Sequence, residues 1–179
     1  MHVADVSDPN NPNAVEFGFP FERLNDVYTN AEFVFVSGYN YRQNNRQGVT
    51  VYSREEFPEL EEIGTCETTV FPGLISSFGE YLYINNNASG TGLSIISLEN
   101  PSEPSEINVL EEIRVGSSCR VYDNFLIVGE RYQGIKVYSL TDPTQPELVG
   151  WYDTPGRAHG IDIRDDYLIL GDFYSISQY

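Results

Sequence analysis

The residues best equipped for chemistry in this chain are tyrosines and arginines set among amides. The stretch Tyr39-Asn-Tyr-Arg-Gln-Asn-Asn-Arg-Gln places Tyr39, Tyr41, Arg42 and Arg46 in one candidate loop. Tyrosine and arginine anchor interfaces, because each combines a large contact area with a polar tip. Aromatic faces beside amides also suit a sugar ring, which offers C–H faces and hydroxyl edges. The pairing returns at Arg131 and Tyr132, and Arg157 and His159 precede a short strand. Asp172 could join His159 in an acid–base or metal site. A single histidine with no second nitrogen ligand nearby fits packing or exposure better. No metal and no cofactor is therefore expected. Gly-x-Ser-x-Gly, His-Glu-x-x-His and phosphate-loop signatures are missing from the sequence. No catalytic residue is assigned, and binding is favoured over catalysis.

The balance of charge narrows the partners. Ten basic residues face 27 acidic ones, for a net charge of −17. Such a surface repels nucleic acid, whose phosphates need basic groups to neutralise them. It also disfavours anionic membrane surfaces. Its self-repulsion opposes the compact state and is relieved by salt, a balance seen in proteins of saline settings. Cys66 and Cys119 read as two buried free thiols, with no zinc-like spacing around them. No apolar run reaches the length of a membrane span. The opening Met1-His-Val-Ala-Asp is not a signal peptide. Asn87-Ala-Ser is a glycosylation sequon, meaningful only in a glycosylating host.

The elements that must position these residues recur. His2-Val-Ala-Asp-Val-Ser-Asp-Pro-Asn-Asn-Pro is echoed from Gly48, from Gly92 and from Gly134, where it reads Gly-Ile-Lys-Val-Tyr-Ser-Leu-Thr-Asp-Pro-Thr-Gln-Pro. Between the copies lie apolar runs after short polar turns: Phe33-Val-Phe-Val, Tyr81-Leu-Tyr-Ile, Phe125-Leu-Ile-Val and Tyr167-Leu-Ile-Leu. A period near 40–45 residues, made of four short strands per unit, signals a β-propeller with one blade per repeat. The prolines must stand outside the ladders, because proline has no N–H to donate. Asp8, Asn100 and Asp142 precede prolines and read as turn caps, not calcium ligands.

The pattern Gly-x-x-Val-x-(Asp/Ser)-(Leu/Val)-x-(Asp/Asn)-Pro-x-x-Pro resembles the LVIVD repeat, a β-propeller repeat of bacterial and archaeal proteins, many of them exported. The resemblance covers nearly the whole chain. It is strong at 134–150 and 2–15, fair at 92–104, and degraded at 48–64, where Arg54-Glu-Glu-Phe-Pro replaces the aspartate and first proline. It implies a fold and an interaction role, with no reaction and no catalytic residue.

The expected fold class is all-β: a single β-propeller domain over 1–179, with four-stranded antiparallel blades at 19–64, 65–112 and 113–156. Residues 1–18 and 157–179 supply the two halves of a fourth, composite blade that closes the ring, unless the chain is an arc of a larger propeller. The strand around Val3–Val6 is expected beside that around Tyr167–Leu170, within one molecule or between copies. The expected core is Val34, Val36, Val51, Leu82, Ile84, Ile95, Leu126, Val128, Val137, Leu168 and Leu170. The loops Gly38–Gln47, Asn85–Thr91 and Glu130–Gln133 share one face with the linkers 18–25, 64–73, 113–118 and 153–159. That loop face is the expected binding surface, carried by Tyr39, Tyr41, Arg42, Arg46, Arg131, Tyr132, Arg157 and His159. The expected partner is a protein or a glycan, without nucleic acid or membrane insertion, in an extracellular or cell-surface setting. Two alternatives stand beside it: an enzyme or metal-binding propeller with its site near His159, and a subunit that self-associates through its terminal strands.

Overall fold

The computed structural model describes residues 2–16, 21–40, 46–86, 92–113, 116–130 and 133–173. Sixteen strands and no helix appear among them. β1 (His2–Asp5) and β2 (Asn13–Glu16) form a hairpin. Three four-stranded antiparallel blades follow. The first holds β3 (Arg23–Thr29), β4 (Phe33–Tyr39), β5 (Gln47–Ser53) and β6 (Glu61–Glu67). The second holds β7 (Pro72–Phe78), β8 (Tyr81–Asn86), β9 (Leu93–Ser97) and β10 (Ser105–Val109). The third holds β11 (Gly116–Tyr122), β12 (Phe125–Glu130), β13 (Gly134–Ser139) and β14 (Glu147–Tyr152). A half-blade of β15 (Arg157–Arg164) and β16 (Tyr167–Phe173) ends the series. These are the blades of a β-propeller, as the repeat requires.

The turns form for local reasons. The Asp8, Asn100 and Asp142 side chains each accept the amide N–H two residues on, at 3.0, 3.3 and 2.9 Å. These are turn caps of the Asx type. Asn30 caps the first hairpin in the same way, accepting from Glu32 and Phe33. Asp123 and Asp165 take positive φ of 49° and 52° in the corresponding turns of the third blade and the half-blade. Aspartate tolerates that region better than bulkier residues.

The core lies between blades. Alternate residues of one strand serve different interfaces, because side chains alternate across a sheet. Phe35, Val49, Val51 and Cys66 of the first blade pack on Ile75, Leu82, Ile84 and Ile96 of the second. The opposite face of the second blade sends Tyr83, Leu93 and Ile95 against Cys119, Leu126, Val128 and Tyr138 of the third. A blade stacked on both sides needs apolar residues on both faces, which explains why β4, β8 and β12 read as unbroken apolar runs. Polar side chains tie neighbouring inner strands: Asp26 accepts the Ile75 amide at 2.8 Å, and Ser37 donates to the Gly73 carbonyl at 2.7 Å.

Three expectations change. Among the described residues no ladder joins β1–β2 to β15–β16, so these four strands are two separate two-stranded sheets and not the expected composite blade. Inner strands pack in the sequence β3 on β7, β7 on β11 and β11 on β15, with no comparable contact from β15 back to β3. The described residues therefore make an open arc. Leu168, Leu170 and Val137 are consequently only half-buried, although the other expected core residues are buried. Among the described residues the half-blade has no third strand to extend its face across Val137. Cys66, expected to begin a linker, instead lies in β6 opposite Val49.

Both thiols are free and buried. Burial pushes the Cys66 thiol from 9.0 up to about 11 and the Cys119 thiol up to about 12. A raised folded pKa favours the protonated, folded form. Each thiol thus contributes stability below the unfolded pKa that is lost as pH climbs toward those values. A thiol-specific reagent at pH 8 is expected to label neither cysteine in the folded chain and both in denaturant. Rapid labelling of either one in the folded state would contradict the burial.

Candidate functional site

The loop face is defined by topology. It collects the ends of β4, β8, β12 and β16, the starts of β5, β9 and β13, and the linkers into β7, β11 and β15. On the first blade it is built to be rigid. The Gln47 side-chain amide donates to the carbonyls of Thr68, Thr69 and Val70 at 3.1, 3.3 and 3.2 Å. The Glu106 carboxylate accepts the Thr69 amide at 3.0 and 3.1 Å, and also the Thr69 and Ser94 hydroxyls. The linker between the first two blades is thus held from both sides.

Tyr39 belongs to this packing and not to the surface. It is 8% exposed, and its ring centroid lies 4.4 Å from that of Phe71 in the same linker. As an exposed anchor it is corrected to a core residue. Arg46 is exposed and pairs with Glu67 at 2.7 Å. Such open pairs are worth at most about 1 kcal/mol and leave the guanidinium accessible. Tyr41, Arg42, Arg131 and Tyr132, with the Asn87 sequon, lie outside the described residues.

Arg157 and His159 are strand residues of β15, not linker residues. The ladder shifts between Ala158 and Gly160, so His159 is the extra residue of a bulge, and it is exposed. β3 shifts at the matching place, between Leu24 and Asp26, around Asn25. There the Asn25 side chain donates to the Pro72 carbonyl of the next blade at 2.6 Å. His159 therefore occupies a position used elsewhere in this fold for joining blades. Asp172 accepts the Gly156 amide at 3.0 Å, which fixes the linker into β15. Among the described residues no three His, Cys, Asp or Glu side chains are grouped to hold a metal. Two blades lie between the one that carries Arg46 and the half-blade that carries Arg157 and His159.

A different group does gather. Gln133, Lys136, Trp151 and Asp153 line a solvent-open cleft of about 290 Å³ on the third blade. Lys136 and Trp151 are cross-strand partners in β13 and β14. The Lys136 ammonium donates at 2.9 Å to Glu130, whose carboxylate is buried. Gly134 shapes the turn between Gln133 and Lys136. Its φ is +70°, and a Cβ there would lie 2.1 Å from the Tyr152 carbonyl oxygen, so only glycine fits. Trp151 is 73% exposed, beside the linker that leaves β14. The sequence offered one signal for it: the chain has a single tryptophan, and it directly precedes a loop-face linker.

Comparison with known proteins agrees with this architecture. Residues 75–110 match the family model of the LVIVD repeat. That segment runs from within β7 to the end of β10, so one repeat coincides with one blade. No curated protein matches the chain. The second blade thus matches the LVIVD repeat, a repeat associated with β-propeller structures, and the chain is built of such blades.

Proposed function

We propose that this chain is a non-enzymatic binding module that presents its loop face to a protein or a glycan in an extracellular or cell-surface setting. The observation that carries this reading is the Trp151 cleft. A large exposed aromatic lies beside amide, carboxylate and ammonium groups on the face where the linkers converge. Large aromatics supply most of the contact energy at recognition surfaces. Arg46, Arg157 and His159 extend the same face, with Tyr41, Arg42, Arg131 and Tyr132 proposed beside them. The resemblance to repeats of exported proteins supports the extracellular setting. Once a partner is captured, alanine at Trp151 or Arg157 is expected to weaken binding by more than about 1 kcal/mol. Sensitivity at Asp8, Pro101 or Asp142 instead would move the function to the proline-turn face.

A second reading, self-association through terminal strands, also has a specific observation behind it. β16 leaves Tyr167 76% and Ile169 57% exposed, and among the described residues only β15 pairs with it. β1–β2 pairs Ala4 with Ala14 and Asp5 with Asn13, as β13–β14 pairs Tyr138 with Leu148 and Ser139 with Glu147. The hairpin thus has the form of the missing outer half-blade, and an open edge recruits strands. Extending the Ile127–Val137 pairing of β12–β13 places Val3 opposite Ile169. Oxidising the Val3→Cys, Ile169→Cys variant is expected to give a covalent dimer on a non-reducing gel. A cross-linked monomer would show closure within one chain, and the absence of any cross-link would remove this reading.

A further inference from the structure

We infer that the Trp151 cleft is a subsite for neutral carbohydrate, in which Trp151 stacks on a sugar ring while Asp153 and Gln133 bind its hydroxyls. This inference rests on the loop-face reading and names the ligand class for one place on it. Four observations converge. Among the described residues the indole is the most exposed aromatic of the third blade, and Gln133, Lys136 and Asp153 line the cleft beside it. A sugar's C–H face packs on an indole as an apolar surface does, while its hydroxyls require the donors and acceptors that surround it.

The second observation is the kind of polar group present. Asp153 accepts hydrogen bonds only, and the Gln133 amide both donates and accepts. Vicinal hydroxyls, each donor and acceptor at once, match that pair. The third is charge. Lys136 is the chain's only lysine, and its ammonium donates to buried Glu130 at 2.9 Å. Lys136 and Asp153 carry opposite charges, so the described lining has no net charge, within a chain of net charge −17. Sulfated or uronic-acid glycans would be repelled by the strongly acidic chain as a whole. Neutral sugars carry no such cost. The fourth is size. At about 290 Å³ and open to solvent, the cleft falls just below the roughly 300–1,000 Å³ of sites that enclose drug-sized ligands. It suits a short stretch of a chain laid across the surface, with further rings continuing over the loop face.

The experiment uses a built-in probe, because Trp151 is the only tryptophan. Its fluorescence reports this cleft and nothing else. The intact chain would be titrated with maltohexaose, cellohexaose and chitohexaose, and with oligogalacturonate as an acidic control. At least one neutral oligosaccharide is expected to shift the emission to the blue saturably and to protect it from acrylamide. Asp153→Asn and Gln133→Ala are expected to weaken that binding about tenfold each, the worth of one hydrogen bond. Oligogalacturonate is expected to bind at least about tenfold more weakly than the neutral oligosaccharide, by the repulsion above. Binding measured calorimetrically with no change in indole emission, and unaltered in Trp151→Ala, would overturn the cleft while leaving the loop face intact as a binding surface. Silence of both readouts with every neutral oligosaccharide would overturn the carbohydrate assignment. Tight binding of the acidic control would overturn the charge argument and the neutral class with it.

Discussion

Leu126→Ala is expected to destabilise the chain by about 2–5 kcal/mol, while the matching change Leu168→Ala costs less than half as much. The two leucines hold the same place in their repeats, in Phe125-Leu-Ile-Val and Tyr167-Leu-Ile-Leu. Leu126 is fully buried in the seam between the second and third blades, among Tyr83, Cys119, Val128 and Tyr138. Truncating it removes apolar contact and opens a cavity whose walls belong to two sheets. Neither sheet can collapse into the space without shifting its whole ladder. Leu168 pairs with Ile163 in a two-stranded half-blade and is only half-buried. Truncating it leaves a surface that water fills. Denaturant midpoints of the two variants against the parent chain measure the difference. Equal costs would mean that the half-blade's face is covered in solution and that the arc closes.

Lys136→Met is the second large effect. Glu130 is buried at the end of β12, and Lys136 holds its carboxylate at 2.9 Å. Replacing the ammonium by an apolar group of similar length removes a charge-assisted hydrogen bond from a buried carboxylate. Breaking one partner of a buried pair costs roughly 3–5 kcal/mol. The lower end, about 3 kcal/mol, is expected here because the Lys136 side chain is 17% exposed and the site is partly wetted. The double variant Glu130→Gln, Lys136→Met is expected to recover most of the loss, since the amide carries no charge to strand. A single variant as stable as the parent would show that water solvates Glu130 in place of the lysine. Because Lys136 also lines the Trp151 cleft, the double variant further separates the stability of this corner from its binding.

The repeating unit, the strands and the turns were legible in the residues alone. Strand alternation, proline exclusion and Asx caps act over two to five residues, so each copy of the repeat states them independently. Asp8, Asn100 and Asp142 cap their turns as read, and Leu82, Ile84, Leu126 and Val128 are buried as read. Tertiary structure decided which copies find a neighbour. Leu126 and Leu168 are indistinguishable within their repeats, yet one is enclosed by an adjoining blade and the other lies in a half-blade. It also decided which aromatics reach solvent. Tyr39 looked like part of a polar loop and is buried by Phe71, 32 residues further along the chain. Trp151 lies in the outer strand β14 and is exposed, because an outer strand has a partner on one side only. A strand's local pattern fixes which residues share a face, whereas exposure depends on what covers that face, and the covering surface comes from a different repeat.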